Sequence, residues 1–151
     1  AAQISKDYAG KRPLFLGVLN GSFMFVADLL KNLEIECEVS FVKLSSYQGT
    51  ETTGNVRELI GLSDSIEGRD VVVLEDIVDT GHTMCKMLET LKRHNPASVE
   101  VASLFVKPER MQVHVDVKYS LFTIPDRFIV GYGLDYDGLG RNLPDVYDVK
   151  E

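Results

Sequence analysis

The fold of this chain is decided by residues 71–83, which read VVVLEDIVDTGHT. Residues 71–74 are four consecutive apolar residues, three of them β-branched, and such a run is typical of a strand buried on both faces of a parallel sheet. Glu75, Asp76 and Asp79 are therefore expected at or just beyond the carboxyl end of that strand. Because open α/β sheets bind ligands at that edge, the stretch predicts an α/β fold with a ligand site there.

The turn that follows has the composition of a phosphate cradle. Thr80, Gly81, His82 and Thr83 lead into residues 84–93, where apolar residues recur at helical spacing. A helix start with a glycine, hydroxyl groups and backbone N–H donors binds phosphate well. The neighbouring carboxylates would repel phosphate, so they are expected to face sugar hydroxyls, a metal or a protonated base. The stretch predicts a ligand with phosphate at one end and hydroxyls at the other.

The remainder of the chain alternates between strand and helix patterns. Helices are predicted over residues 1–8 and from residue 23 onward, and further strands over 14–19, 39–44, 58–62, 99–106, 119–123 and 128–132. This alternation predicts a parallel sheet with helices on its faces, and a length of 151 residues suits one domain over 1–151. Residues 45–56 are polar and carry two glycines, so they are predicted to form a mobile loop between strands.

Charge and cysteine content exclude several classes of protein. The formal net charge is −7 and the basic residues are scattered, which disfavours binding to nucleic acid or to an anionic membrane. No apolar run approaches the roughly 20 residues of a membrane span. Cys37 and Cys85 are too few and too far apart for a disulfide framework or a zinc site, and this favours a cytoplasmic setting.

Residues 75–83 resemble the 5-phosphoribosyl pyrophosphate (PRPP) signature of type I phosphoribosyltransferases. Other segments resemble the hypoxanthine-guanine members of that family, in the family's order: GVLNGS at 17–22, SY at 46–47, KPER at 107–110 and IPDRFIVGYGLDY at 124–136. The resemblance implies a parallel sheet of about five strands between helices, with a small hood built from the chain ends. Bacterial members carry a further N-terminal segment, which is expected to be missing from this chain.

The resemblance assigns two stretches to the sugar and the 5′-phosphate of PRPP. Glu75 and Asp76 are expected to contact the ribose hydroxyls. The turn over residues 80–83, with Thr80, Gly81, His82 and Thr83, is expected to hold the 5′-phosphate through backbone N–H groups and hydroxyls. Family members vary at the position of His82, so a histidine that faces solvent stays an alternative there.

Pyrophosphate and magnesium are assigned to two other loops. Leu19, Asn20 and Gly21 resemble the pyrophosphate loop, where a non-proline cis peptide is typical; many members have lysine where this chain has Asn20. Arg141 lies where members place an arginine on pyrophosphate. Asp135 resembles a carboxylate that supports Mg²⁺, with Glu75 and Asp76 as additional candidates.

The purine is assigned to residues far apart in the sequence. Asp79 resembles the general base near N7 of the purine, although an N-cap role for it in the following helix is also open. Lys107 resembles the donor to the 6-oxo group, Phe128 the ring that stacks on the base, and Ile129 a backbone partner of the base edge. Ser46 and Tyr47 begin the loop that closes over the active site in this family.

The resemblance therefore implies purine salvage: Mg²⁺-dependent transfer of 5-phosphoribosyl from PRPP to N9 of hypoxanthine or guanine, which yields IMP or GMP and pyrophosphate. Members are homodimers or homotetramers, and the same is expected here. Two alternatives are open from the sequence. One is a regulator that keeps the PRPP site and binds nucleic acid, which the acidic charge disfavours. The other is an enzyme of this fold that uses a different base, such as xanthine or a pyrimidine.

Overall fold

A six-stranded sheet forms the centre of the computed structural model, which describes residues 1–47 and 56–150. Its strands run in the order β3-β2-β1-β4-β5-β6. Five of them are parallel, which confirms the predicted parallel sheet, and β3 is an antiparallel edge strand on β2. The bounds are β1 Leu14–Val18, β2 Glu38–Tyr47, β3 Val56–Ile60, β4 Asp70–Val78, β5 Ser98–Val106 and β6 Tyr119–Thr123.

Helices cover both faces of the sheet. They are α1 Ala2–Asp7, α2 Phe23–Lys31 and α3 His82–Lys92, and a short 3₁₀ turn follows β5 over Pro108–Arg110. Successive side chains of β4 alternate between the two faces. Val72 and Leu74 pack in the core cluster that contains residues of α1 and α2, and Val71 and Val73 pack with the residues of α3. The predicted burial of this strand on both faces is confirmed.

The fourth strand is longer than the apolar run indicates. Its pairing with β1 ends where Leu74 lies beside Gly17, but its pairing with β5 continues to Val78 beside Val106. The hydrogen bonds between strands use backbone groups, so the pairing continues past residues that carry carboxylate side chains. Glu75 and Asp76 therefore lie inside β4, and only Asp79 follows it. The expectation that all three stand at or beyond the strand end was wrong for the first two.

Residues at both ends of the loop predicted over 45–56 belong to strands instead. Ser45, Ser46 and Tyr47 continue β2 and pair in register with residues of β3, and Val56 already belongs to β3. An antiparallel ladder needs no apolar side chains, so the polar composition did not reveal it. Residues 48–55 of that predicted loop lie outside the described residues.

A second, two-stranded antiparallel sheet forms from β7 Ile129–Val130 and β8 Tyr147–Asp148. The strand predicted over 128–132 is thus shorter, because the chain turns at Gly131 and Tyr132, both of which have positive φ. This small sheet corresponds to the predicted hood. It comes from the C-terminal side alone, since the N-terminal residues Ile4 and Tyr8 pack into the core instead.

The strand order fixes where a ligand can bind. From β1 the chain moves outward to β2, whereas from β4 it moves outward in the opposite direction to β5 and β6. Between the carboxyl ends of β1 and β4 lies the point where this direction reverses, and open α/β sheets bind their ligands in the crevice at that point. Across residues 1–47 and 56–150, no helix has the length and apolar character required to cross a membrane.

Candidate active site

The loop after β1 packs directly against the acidic end of β4. The Leu19–Asn20 peptide is cis, as the resemblance indicated. Ser22 Oγ donates a hydrogen bond to the Val18 carbonyl at 2.6 Å, which ties the end of the loop to the strand. A β-carbon on Gly21 would lie 1.9 Å from Asp76 Oδ2. Only glycine permits this approach, so the predicted pyrophosphate loop and the predicted ribose carboxylate meet at this point.

Glu75 and Asp76 form a partly enclosed pair of carboxyl groups. Glu75 is 7% exposed, and its Oε1 accepts a hydrogen bond from Asp76 N at 3.0 Å. Ile77 N donates to Asp76 Oδ1 at 2.8 Å. Burial, followed by the hydrogen bond with Asp76 and its charge, raises the pKa of Glu75 well above its usual range. The structure thus brings the two predicted residues together and favours the neutral form of Glu75.

The turn predicted to hold phosphate is shaped by Gly81. Gly81 is the N-cap of α3 with φ +91°, and a β-carbon there would lie 2.3 Å from the Val113 carbonyl oxygen. The carbonyl of Thr80 accepts hydrogen bonds from Gln112 N at 2.9 Å and Val113 N at 3.1 Å. The first turn of α3 holds no acidic residue, so its positive dipole end faces the turn without a carboxylate of its own. Because Gly81 is the cap, the alternative N-cap role for Asp79 was wrong.

His82 also contacts the segment beneath the turn. Its Nε2 lies 3.0 Å from Oε1 of Gln112. Support of the turn by residues 112 and 113 was not predicted, since these residues lie about thirty positions further along in a stretch without regular structure. The histidine side chain is exposed, and its hydrogen bond with Gln112 links the turn to the neighbouring segment.

Asp135 and Arg141, predicted for magnesium and pyrophosphate, lie next to each other. Arg141 Nη2 is 3.4 Å from Asp135 Oδ1, and Arg141 Nη1 donates to the Gly133 carbonyl at 2.8 Å. Gly138 N donates to Asp135 Oδ2 at 2.9 Å. A β-carbon on Gly133 would lie 2.3 Å from the Gly21 carbonyl oxygen. This close backbone contact joins the loop of Asp135 to the loop after β1.

The carboxylates in this region fit a magnesium ion that is held mainly by its substrate. Asp76 lies against Gly21, and the loop that carries Asp135 contacts the same glycine through Gly133. No cluster of three or more His, Cys, Asp or Glu side chains that could hold a metal exists among residues 1–47 and 56–150. Mg²⁺ prefers oxygen ligands, retains several waters and often binds through one or two carboxylates plus phosphates. The donor set suits that mode.

The residues predicted to handle the purine are joined by ionic contacts. Lys107 is 7% exposed, and its backbone N–H donates to the Val78 carbonyl at 3.0 Å, directly before Asp79. Arg110 Nε donates to Asp79 Oδ1 at 2.9 Å. Asp126 Oδ1 lies 3.8 Å from Arg110 Nε and 4.0 Å from Lys107 Nζ. Sequence reasoning assigned no role to Arg110 or Asp126, although both stand in segments that carry the family resemblance.

Phe128 lines an open cavity. The ring is 55% exposed and meets the ring of Tyr136 edge-on, with centroids 5.6 Å apart. The cavity has a volume of about 800 Å³ and includes Asp126 and Tyr136 in its lining. An exposed aromatic ring beside Asp126, which faces Lys107, is available to stack on a planar base. Ile129 lies in β7 beside Asp148.

Known proteins that resemble this chain in sequence are phosphoribosyltransferases. The family model of the phosphoribosyl transferase domain matches residues 1–137. The chain is 47% identical over 151 residues to a hypoxanthine-guanine phosphoribosyltransferase of Streptococcus agalactiae, with 99% of this chain and 84% of that protein covered.

Solved structures give the same result. A hypoxanthine phosphoribosyltransferase of Staphylococcus aureus superposes with a TM-score of 0.87 at 41% identity, covering 99% of this chain and 82% of that one. A hypoxanthine-guanine phosphoribosyltransferase of Bacillus anthracis superposes with a TM-score of 0.87 at 35% identity, covering 99% and 88%. The fold and the comparisons thus define a phosphoribosyltransferase, a pentosyl-transferring enzyme. Within that class, the chain belongs to the hypoxanthine-guanine phosphoribosyltransferase family.

Proposed function

We propose that this protein catalyses Mg²⁺-dependent transfer of 5-phosphoribosyl from PRPP to N9 of hypoxanthine or guanine, and that it thereby forms IMP or GMP and pyrophosphate in purine salvage. The observation that carries this proposal is the backbone hydrogen bond from Lys107 N to the Val78 carbonyl. This bond places Lys107, the proposed donor to the 6-oxo group, beside the strand end that carries Asp79, the proposed general base. The proposed phosphate turn begins at the next residue, Thr80. The names of the related proteins support hypoxanthine and guanine as the bases.

PRPP would bind along the carboxyl ends of β1 and β4. The turn over residues 80–83, including Thr80, Gly81, His82 and Thr83, would hold the 5′-phosphate at the helix start. Asp76 and Glu75 would form hydrogen bonds with the ribose hydroxyls. The backbone of Leu19, Asn20 and Gly21, together with the Arg141 guanidinium, would hold the pyrophosphate that leaves.

Magnesium would bind on the oxygens of PRPP and pyrophosphate beside Asp135, with Asp76 nearby on β4. When bound, the ion supplies charge neutralisation on the leaving pyrophosphate. Asp135 is held for that task by Arg141 and by the backbone N–H of Gly138. A ligating carboxylate with fixed hydrogen-bond partners has its orientation set before the ion arrives.

The purine would lie between Phe128 and the Asp79–Lys107 pair, with its edge near the backbone of Ile129. Lys107 would donate to the 6-oxo group, and Asp79 would take the N7 proton as the bond between N9 and C1′ forms. Adenine carries an amino donor at position 6, which would face the ammonium donor of Lys107 and cost about 1–3 kcal/mol. This arrangement favours 6-oxopurines over adenine. Xanthine also carries the 6-oxo group.

One assay tests the proposal directly. Purified protein is incubated with PRPP, Mg²⁺ and each of hypoxanthine, guanine, xanthine, adenine and uracil, and nucleotide product is measured by chromatography. Turnover with hypoxanthine or guanine, and little with adenine or uracil, is expected. Preference for xanthine or uracil would replace the proposed base with another. Binding of PRPP without turnover of any base would favour the regulator instead.

The setting and the assembly of the protein stay predictions. Both cysteines of the described residues, Cys37 and Cys85, are free thiols, which supports the cytoplasmic setting. A homodimer or a homotetramer is expected, and light scattering coupled to size-exclusion chromatography measures it.

A further inference from the structure

A row of four side chains of alternating charge runs from the proposed general base to the proposed 6-oxo donor. Asp79 contacts Arg110 at 2.9 Å, Arg110 lies 3.8 Å from Asp126, and Asp126 lies 4.0 Å from Lys107. The contacts bridge the 3₁₀ turn after β5 and the loop before β7. The proposed general base and the proposed 6-oxo donor are thus the two ends of one row of ionic contacts. The contact between Arg110 and Asp79 is the shortest of the three.

We propose that Arg110 is a positioning residue for Asp79, and that Asp126 keeps Arg110 in place. The inference rests on the proposed function, because it assigns Arg110 a task in the same reaction. Arg110 Nε holds Oδ1 of the carboxylate and leaves Oδ2 for the purine. As N9 bonds to C1′ and pyrophosphate leaves with the electron pair of the broken C1′–O bond, the N7 proton passes to Oδ2 of Asp79.

The backbone gives Arg110 a fixed origin for this contact. Its N–H donates to the Lys107 carbonyl at 3.1 Å, and Lys107 N donates to the Val78 carbonyl at 3.0 Å. The guanidinium therefore starts from a turn anchored one residue before Asp79. Its contact with Asp79, by hydrogen bond and then by charge, raises the pKa of Arg110 further, so the side chain remains a cation at every pH at which an enzyme of this kind works.

The ion pair is placed to orient the carboxylate and contributes little to holding the fold together. Its side chains are 45% and 40% exposed, and exposed ion pairs contribute little to folding stability. A carboxylate at the end of a strand has free rotation about its side-chain bonds unless a partner holds it. Proton transfer requires hydrogen-bond geometry between the carboxylate and the purine. Loss of Arg110 would therefore lower kcat more than it lowers folding stability.

The test is a double-mutant cycle of Arg110→Gln and Asp79→Asn, with hypoxanthine and PRPP as substrates. Arg110→Gln is expected to lower kcat about 10- to 100-fold and to change the KM for PRPP less than about twofold. Arg110→Lys is expected to recover part of the loss, because it keeps the cation. In the Asp79→Asn background, Arg110→Gln is expected to have little further effect, since both changes remove the same function.

The matched control is Arg12→Gln. Arg12 Nε donates to Glu36 at 2.7 Å in an exposed pair remote from the site, so its loss is expected to leave kcat unchanged. Thermal melting of each variant establishes that it is folded, and Arg110→Lys carries the cycle if Arg110→Gln does not fold.

Four results separate the possible failures. Effects of Arg110→Gln and Asp79→Asn that multiply in the double variant overturn the positioning role while leaving the proposed function intact. A higher kcat in Arg110→Gln overturns it as well, because the ion pair would then restrain the base. Wild-type turnover in Asp79→Asn instead removes the general-base role on which the inference rests and leaves the proposed function intact. No turnover of any purine by the wild type removes the proposed function itself.

Discussion

The carboxylate of Asp76 rests against the backbone of Gly21, with no room between them for a β-carbon. The two residues stand 55 positions apart in the sequence, Gly21 in the loop after β1 and Asp76 within β4. Because of this contact, the loop after β1 and the acidic end of β4 pack together. A substitution in one is expected to shift the position of the other.

Gly21→Ala is expected to lower kcat/KM for PRPP by about 100-fold or more, because the added β-carbon would lie 1.9 Å from Asp76 Oδ2 and displace the carboxylate or the loop. Steady-state kinetics with PRPP as the varied substrate measures this. Gly68→Ala is the control, since Gly68 has positive φ but no atom within 4 Å of the added carbon. Equal kinetics for the two variants would contradict the close approach.

Lys107→Met is expected to lower kcat/KM for hypoxanthine by about 10- to 100-fold, because the variant keeps the apolar stem and loses the donor to the 6-oxo group. The ratio of hypoxanthine to adenine turnover is expected to fall as well. Competition between the two bases in one reaction measures that ratio. Lys86→Met, which removes an exposed ion pair with Glu89 on α3, is expected to leave the ratio as it is in the wild type. An unchanged ratio in Lys107→Met would show that another group reads position 6.

Asp135→Asn is expected to raise the Mg²⁺ concentration needed for half-maximal activity about 10-fold or more, because the amide keeps the acceptor for Gly138 N but loses the charge. Titration of Mg²⁺ into protein depleted of metal by EDTA measures this. The depleted wild type is expected to be inactive until Mg²⁺ is restored. The control is Asp137→Asn, because Asp137 lies two residues away at φ +50°, where asparagine is tolerated. This variant is expected to keep the wild-type Mg²⁺ requirement. Identical titrations for both variants would count against Asp135.

Glu75→Gln is expected to flatten the dependence of stability on pH in the absence of ligands. Burial raises the pKa of Glu75 in the folded state above its unfolded value, so the folded protein binds a proton that the unfolded chain releases. Wild-type stability must therefore fall as the pH rises from about 4.5 toward the folded pKa. Glutamine does not titrate, and melting temperatures from pH 5 to 8 compare the two proteins. Parallel curves would mean that Glu75 is ionised in the folded state.

Sequence patterns located the sheet well and its strand ends poorly. The run at 71–74 predicts a doubly buried strand because burial depends on side chains. The extension of β4 to Val78, and of β2 to Tyr47, depends on which neighbour still offers backbone partners. That information lies in the relative lengths of strands distant in sequence, so side-chain polarity alone indicated loops where the chain forms ladders.

The candidate site shows the same division. Residues 75–83 and Asp135 could be predicted as site residues because they belong to recognisable motifs. The ion pair between Arg110 and Asp79 was not, since a charged residue in a short turn has the same appearance in sequence whether it faces solvent or a carboxylate. The support of Thr80 by residues 112 and 113 was invisible for a related reason: backbone hydrogen bonds are independent of residue type.

The pairing of Arg141 with Asp135 has a consequence for which anions the protein admits. A simple anion that approaches this guanidinium meets a carboxylate 3.4 Å from it and must separate the two charges. Pyrophosphate complexed with a divalent cation brings oxygens for the guanidinium and a metal for the carboxylate, so each member of the pair exchanges one opposite charge for another. In a protein with a net charge of −7, and with the roles proposed above for Arg141 and Asp135, this pair would favour pyrophosphate that carries a divalent cation over bare phosphate.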